Sequence, residues 1–441
     1  MNHTVSPVLA ERRRWMRWNF KMSTIDGMLA NVSVGMVTPF LAILAIALGG
    51  SNTVVGLVTA VPALINTVMY LPAAAMVESA RGRLGTVVAA ATGARLLYLV
   101  MAAVPFLPWP ERRAAILVCL IGLQAIPAVI SALAWTALMG ETFPQEERAG
   151  VFAFRSMYCS LVALASSMVA GLLLDRVEYP WNYLVLFTIS YVAAMTSLHF
   201  LMQMKEFPTD GRKPGRTSVV DRLRKPFTDP EYGVKFRVFT MSAFVLHIGL
   251  NLAIPVYPIY HVRVLELSNS VIASFSVASG LSAVLAYPIW GGIARRAGNA
   301  VVYFLSGLAF AVFPTAYYLA GQVPYLFALQ VFVGFFNAGW ALTLFNLMLE
   351  YVDPEESANG IAVFNMVINV TGILAPFVAA HMISVWGVGV PFAVASAIRL
   401  LGCLLFLRAA HPGALVARAA RIIRTASYRR QGLNRNIEEV S

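Results

Sequence analysis

Charge is what this chain has least of. Asp, Glu, Lys and Arg together make up 12% of its 441 residues, against about 25% in soluble domains. A soluble chain of this length folds into two or three domains with wet surfaces, and there is too little polar material here to coat them. Cysteine is nearly missing. Cys119, Cys159 and Cys403 lie far apart in apolar runs, so there is no disulfide framework and no metal spacing. A Gly-rich phosphate loop of the Walker type, a His-Glu-x-x-His pair and a Gly-x-Ser-x-Gly elbow are all absent from the sequence. ATP hydrolysis within this chain, zinc proteolysis and serine hydrolysis are therefore not expected, and neither is an enzyme or a cofactor.

Apolar residues are abundant: they reach 59%, with a mean hydropathy of +0.71. A bilayer-crossing helix needs about 20 such residues in a row. Twelve runs qualify, at 22–48, 53–77, 84–107, 114–139, 150–174, 181–204, 238–263, 269–293, 299–319, 324–349, 359–385 and 390–408. Pro39, Pro62, Pro127, Pro255, Pro258 and Pro376 fall inside them, which a helix bundle in lipid tolerates. The alternating ten-residue segments of a membrane barrel are not seen. The expectation is an all-α integral membrane protein of twelve helices.

The formal charge of +12 sits between these runs, which suits a membrane surface and not nucleic acid. Arg12, Arg13, Arg14 and Arg17 precede the first run; its length makes it a span and not a cleaved leader. Of the lysines and arginines outside the spans, 26 fall on one side and four (Arg112, Arg113, Arg176 and Arg263) on the other. The asymmetry puts both termini and the middle loop in the cytoplasm of a multi-pass cell-membrane protein.

The chain also matches itself. Leu48–Val55 aligns with Leu265–Ile272 at a shift of 217, pairing Ser51 with Ser268 and Asn52 with Asn269, and the same shift brings Tyr70 onto Tyr287. At a shift of 210, Pro144, Glu146, Gly150 and Phe154 meet Pro354, Glu356, Gly360 and Phe364. Each half holds six spans, so the repeat is parallel. The expected organisation is a six-helix bundle over 1–204, a linker over 205–237, a second bundle over 238–408 and a basic tail over 409–441. Segments 216–225 and 414–430 alternate apolar and basic residues, and read either as helices on an anionic inner leaflet or as solvated basic loops.

Six plus six spans with a basic middle loop resemble the major facilitator superfamily. That family's loop signature, Gly-x-x-x-Asp-Arg-x-Gly-Arg, has an echo after span eight in Gly291-Gly-Ile-Ala-Arg295-Arg296-Ala-Gly298. A second echo follows span two, in Ala74-Ala-Met-Val-Glu78-Ser79-Ala-Arg81-Gly82-Arg83. Two family features are missing: span four has no Arg, and Ala165–Gly171 in span five lacks the Gly-Pro pair associated with antiporters. The resemblance implies two pseudo-symmetric bundles, a cavity lined by spans 1, 4, 7 and 10, and a small-molecule solute moved by a monomer.

On that basis the candidate cavity residues are Asn31, Gln124, Trp135, His247, Asn251, Tyr257, Asn337, Trp340 and Asn346. Aromatic walls with sparse amides suit a small-molecule site, although Asn and Gln also tie membrane helices together. Asp26 is the sole acid well inside a span. It either takes up a proton or a cation in one state, coupling transport to an ion gradient, or pairs statically with Arg155, which sits at similar depth. Arg95 and Arg399 lie mid-span with no evident acidic partner; they read either as snorkelling or carbonyl-binding residues or as an anion site or lipid-headgroup contact. The resemblance further implies a charged gate in which Arg81, Arg83, Arg295 and Arg296 meet Glu146, Glu147, Glu355 and Glu356, with Glu78 in the loop motif.

The leading expectation is a secondary transporter working by alternating access on an amphipathic or lipophilic solute, with efflux favoured and Asp26 as coupling group. An organic-anion site would call for an Arg in spans 1, 4, 7 or 10, and none is there. The alternatives are a lipid or lysolipid translocator of the same fold and, in another class, a receptor or scaffold without transport.

Overall fold

A computed structural model describes residues 7–80, 82–143, 145–206, 219–353 and 357–409; within these, the side chains of 7–10, 71, 78, 145–150, 153, 219–223, 357–359 and 408–409 are not described. No strand occurs among the described residues. The helices of the first half are α1 (Pro7–Val37), α2 (Leu41–Ala47), α3 (Asn52–Ser79), α4 (Arg83–Ala103), α5 (Pro110–Thr142), α6 (Gln145–Arg176) and α7 (Trp181–Met202). After α8 (Val219–Thr228) come α9 (Gly233–Ala253), α10 (Val256–Ile259), α11 (Asn269–Ala297), α12 (Asn299–Ala320), α13 (Val323–Glu350), α14 (Ser357–Trp386) and α15 (Gly389–Ala409).

Among the described residues, twelve helices, some of them joined from shorter segments, are long and apolar enough to cross a bilayer. At 1.5 Å per residue, the 21 residues of α4 span about 31 Å, which matches a hydrocarbon core of about 30 Å. The largest apolar exposures, at Leu319, Leu285 and Val312, would be costly in water and suit lipid.

Proline behaves in two ways. Pro62, Pro127 and Pro376 lie inside unbroken helices. Pro39 instead sits in a 3-10 turn between α1 and α2, and Pro255 marks the break between α9 and α10, followed by a π-helical turn at Tyr260–Val264. The two breaks fall at equivalent points of spans one and seven.

The repeat is visible in the packing. In the first half α1 packs on α7, α4 on α5 and α4 on α7; in the second, α9 packs on α15, α12 on α13 and α12 on α15. It is visible again at helix starts. Ser51 Oγ accepts the backbone N–H of Val54 at 3.4 Å, and Ser268 Oγ accepts that of Val271 at 3.4 Å. Both are N-caps of the second helix of their repeat, the position where Ser is favoured.

The chain divides into two compact units. One comprises the described residues of Met1–Arg216 with Ile254–Gly280 and Gly372–Val388; the other comprises those of Thr217–Ala253, Leu281–Thr371 and Gly389–Ser441. The first unit has an apolar core at the chain-entry end, built on Val77, Leu138, Met139 and Leu201. Nearby, Asn19 locks the exit of α7 by donating to the Lys205 carbonyl and accepting the Lys205 N–H, each at 2.8 Å. The second unit has an aromatic core in which Phe239 packs against Tyr303, Tyr351, Phe364 and Phe406.

Candidate functional site: a charged cavity in the first repeat

The helix carrying Asp26 begins earlier than hydropathy suggests. The basic stretch Arg12–Arg17 is already helical, since Arg and Glu are good helix formers. The first candidate span therefore runs from Glu11 to Ala47, with Asp26 well inside it, as expected.

Asp26 is buried and faces three neighbouring helices. Ser197 of α7 donates its hydroxyl to Asp26 Oδ1 at 2.9 Å. Arg95 Nη2 of α4 stands 3.9 Å from Oδ1, and Arg155 Nη2 of α6 stands 4.0 Å from Oδ2. Arg155 is fixed twice more. Its Nε donates to the Ser23 carbonyl at 3.0 Å, and its guanidinium lies 4.3 Å from the centre of the Trp135 ring, a cation–π contact that orients the charge. The absence of a Cβ at Gly27 makes room for it: a methyl there would come within 2.6 Å of Arg155 Nη2 and 2.7 Å of Cys159 Sγ.

These groups line a cavity of about 650 Å³ whose walls come from α1, α4, α5, α6 and α7. Asp26, Arg95, Tyr98, Gln124, Trp135 and Arg155 supply its chemistry, and alanines, valines and Leu201 most of the rest. The size falls in the usual range for small-molecule sites, a few hundred to about 1,000 Å³. Arg95 corrects the sequence reading. It has an acidic partner, because α4 packs beside α7 and brings a mid-span guanidinium to the face that carries Asp26. Sequence reasoning also missed Tyr98 and Ser197. A rule would have pointed to the arginine: a charge deep in a span pairs with an opposite charge or with backbone carbonyls, and only one acid lies well inside a span.

Of the other candidate cavity residues, Gln124 and Trp135 lie on this wall; Asn31 and Tyr257 do not. Asn31 donates to the carbonyl of Gly27 at 2.8 Å, one turn back on its own helix. His247, Asn251, Asn337, Trp340 and Asn346 belong to the second unit. There Asn251 donates to Thr371 Oγ1 at 2.7 Å, Asn346 donates to Asn299 Oδ1 at 3.1 Å, and His247 lies 5.3 Å from Trp340, centre to centre. Asn337 is exposed. Arg399 donates to the Phe310 carbonyl at 3.0 Å, the carbonyl binding expected for it.

Among the gate candidates, Arg81, Glu355 and Glu356 lie outside the described residues, and so do the side chains of Glu78, Glu146 and Glu147. Arg83 is engaged within the first repeat: its Nε stands 3.3 Å from Glu141 Oε1, and its backbone N–H donates to the Glu206 carboxylate. Arg295 and Arg296 are exposed.

A second cluster, at the opposite end of the first unit, was not anticipated. Asp175, at the end of α6, accepts the backbone N–H groups of Asn269 at 2.8 Å and Ser270 at 2.9 Å, and the Asn269 side chain at 3.0 Å. It thus caps α11, a helix of the other repeat. Arg263 returns the contact by donating to Asn52 Oδ1 and the Gly50 carbonyl at the start of α3.

The profile of the Major Facilitator Superfamily matches residues 27–239 and again 239–428. The chain belongs to the major facilitator superfamily. It is therefore a multi-pass membrane transporter and not an enzyme. No curated protein matches it in sequence. Solved structures share the fold at low identity. The human organic anion transporter MFSD10 superposes with a TM-score of 0.63 at 17% identity, over 89% of this chain and 99% of that one. A POT family transporter in complex with 5-aminolevulinic acid gives 0.70 at 12%, over 88% and 95%. The nucleoside transporter NupG gives 0.63 at 12%, over 90% and 99%.

Proposed function

We propose that this superfamily member is a secondary active transporter that moves a small amphipathic solute by alternating access, with Asp26 as the group that couples movement to protons. The reading rests on one observation: the buried Asp26 lies on the wall of a cavity of about 650 Å³, between two arginines and a serine. A carboxylate in that position, reachable from a solvent-sized hollow, can exchange its proton for the partnership of the arginines. Tyr98 and Trp135 offer apolar area while Gln124 and the charges offer orientation. The relatives' solutes (organic anions, nucleosides, 5-aminolevulinic acid) support a small solute. The charge asymmetry supports cytoplasmic termini.

The test is flux in proteoliposomes against a panel of small solutes and labelled lipids, with and without a pH gradient, in the native protein and in Asp26→Asn. Gradient-driven flux of a small solute that Asp26→Asn loses is the expected result. Equal gradient dependence in both proteins removes Asp26 from coupling. Movement of labelled lipid alone replaces the small-solute reading with lipid translocation.

A further inference from the structure

The charges around the cavity do not balance. Two guanidiniums, which stay protonated in proteins, face one carboxylate. The ion pairs are also loose: 3.9 and 4.0 Å, against about 2.7–2.9 Å for a charge-assisted hydrogen bond. Asp26 therefore leaves guanidinium donors unused. Two buried donors on the same wall, Arg95 Nη1 and Trp135 Nε1, have no hydrogen-bond partner among the described residues. A buried donor left unmade costs about 1–3 kcal/mol, more when charged, which is tolerable where a ligand completes it. The remaining wall is largely apolar.

Resting on the transporter reading above, we infer that the solute carries one carboxylate on an aromatic or apolar body, and that its carboxylate settles between Arg95 and Arg155 as Asp26 takes up a proton. The requirement for an arginine in spans 1, 4, 7 or 10 falls away, because spans 3 and 5 supply the cations. The balance is explicit. Before binding, the cavity holds two positive charges and one negative. Afterwards it holds two positive charges, the solute's negative charge and a neutral Asp26, whose proton comes from the buffered bulk solution. Two carboxylates crowded against the same pair of arginines repel; in this inference that repulsion moves a proton onto Asp26, so one proton accompanies each anion, the pair crosses together without net charge, and the site keeps its single excess positive charge. The groups facing Asp26 are Arg95 from α4 and Arg155 and Cys159 from α6, with Tyr98 of α4 on the same cavity wall. Ser197 of α7 and the α5 residues Gln124 and Trp135 do not titrate. Phenol and thiol are neutral below about pH 8, which leaves Asp26 as the proton acceptor.

The experiment is calorimetric binding to the full chain in nanodiscs. The probes are 3-phenylpropionate, naphthalene-2-carboxylate and indole-3-acetate, each with its neutral amide as control, and folding is checked by melting. At least one carboxylate should bind about tenfold or more tightly than its amide, a difference of about 1.4 kcal/mol. It should weaken as pH rises from 6 to 8, and take up one proton, measured in buffers of different ionisation heat. Arg95→Gln should weaken it by about tenfold or more. Asp26→Asn removes the competing carboxylate, so it should bind the anion at pH 8 as tightly as or more tightly than the native chain, with no proton uptake. A merely structural Asp26 gives the opposite sign, and that result, or equal binding of acids and amides, overturns the inference. If Arg95→Gln does not fold, the sign of the Asp26→Asn effect decides alone. Flux of neutral solutes with no anion preference overturns this inference and spares the transporter reading; anion binding without flux does the reverse.

Discussion

Asp26 on α1 and Arg95 on α4 stand 3.9 Å apart in the interior of the first repeat, and Arg155 approaches the same carboxylate from the other oxygen at 4.0 Å. Among the described residues, the carboxylate is the one anion that faces these two guanidiniums. Its removal is therefore not equivalent to the removal of either arginine.

A double-mutant cycle tests that asymmetry. Asp26→Asn leaves two like charges buried without a counter-ion and should destabilise the folded protein by about 3 kcal/mol, the low end for a broken buried pair because the site borders a cavity. Arg95→Met leaves the Asp26–Arg155 pair in balance and should cost less. The double variant should be more stable than Asp26→Asn alone, a coupling of about 1 kcal/mol or more for groups in contact. Melting temperatures in detergent, at fixed pH and without anionic additives, report all three. Simple additivity would show that the two residues do not interact.

Two glycines of α1 separate function from fold. At Gly27 an added methyl meets the far end of Arg155 and Cys159 Sγ, whereas at Gly35 it runs into the Ala163 backbone carbonyl. A guanidinium can swing away, but a carbonyl in α6 cannot move without its helix. Gly35→Ala should therefore destabilise by about 1–3 kcal/mol, the usual range for overpacking. Gly27→Ala should leave melting within about 1 kcal/mol of the native value, but should displace Arg155 and impair solute binding. Melting curves and binding measured on both variants check the pairing. Loss of stability at Gly27 equal to that at Gly35 would mean that Arg155 is held too rigidly to yield.

Twelve spans and the repeat were legible in the sequence because both are written in local patterns. Apolar length alone marks a bilayer helix, and Ser51 and Ser268 recur because each starts its helix in the same way. The partners of Asp26 were half legible. Arg155 was singled out by its depth along its own span, but Arg95 needed the knowledge that α4 packs against α7, which no single-helix pattern carries. The amides were the least legible. Gln124 and Trp135 reach the cavity, while Asn251 and Asn346 bond to neighbouring helices, and the same polar residue in an apolar run serves either end. Asp175 and Arg263 escaped because acids and bases at span ends read as ordinary interfacial charge, although Arg263 belongs to the sparse side of the charge count.

The Asp175 cap joins a helix end of one repeat to a helix start of the other, and the Arg263 contact does so in the reverse sense. Asp175 satisfies two N–H groups that α11 cannot bond within itself and places negative charge at the positive end of the helix dipole. Asp175→Ala should cost about 0.5–2 kcal/mol, the range for a lost N-cap, and raise hydrogen exchange at Asn269–Ile272 by up to about tenfold or more. Asp175→Asn, which keeps an acceptor but loses the charge, should fall between. The alternating access proposed above requires this end of the protein to open as a whole. Exchange at Asn52–Val55 should then rise together with that of α11, although among the described residues Asp175 bonds to Asn269 and Ser270 and not to that turn. A response confined to α11 would mean that the two contacts open independently, and a concerted opening at this end would be excluded.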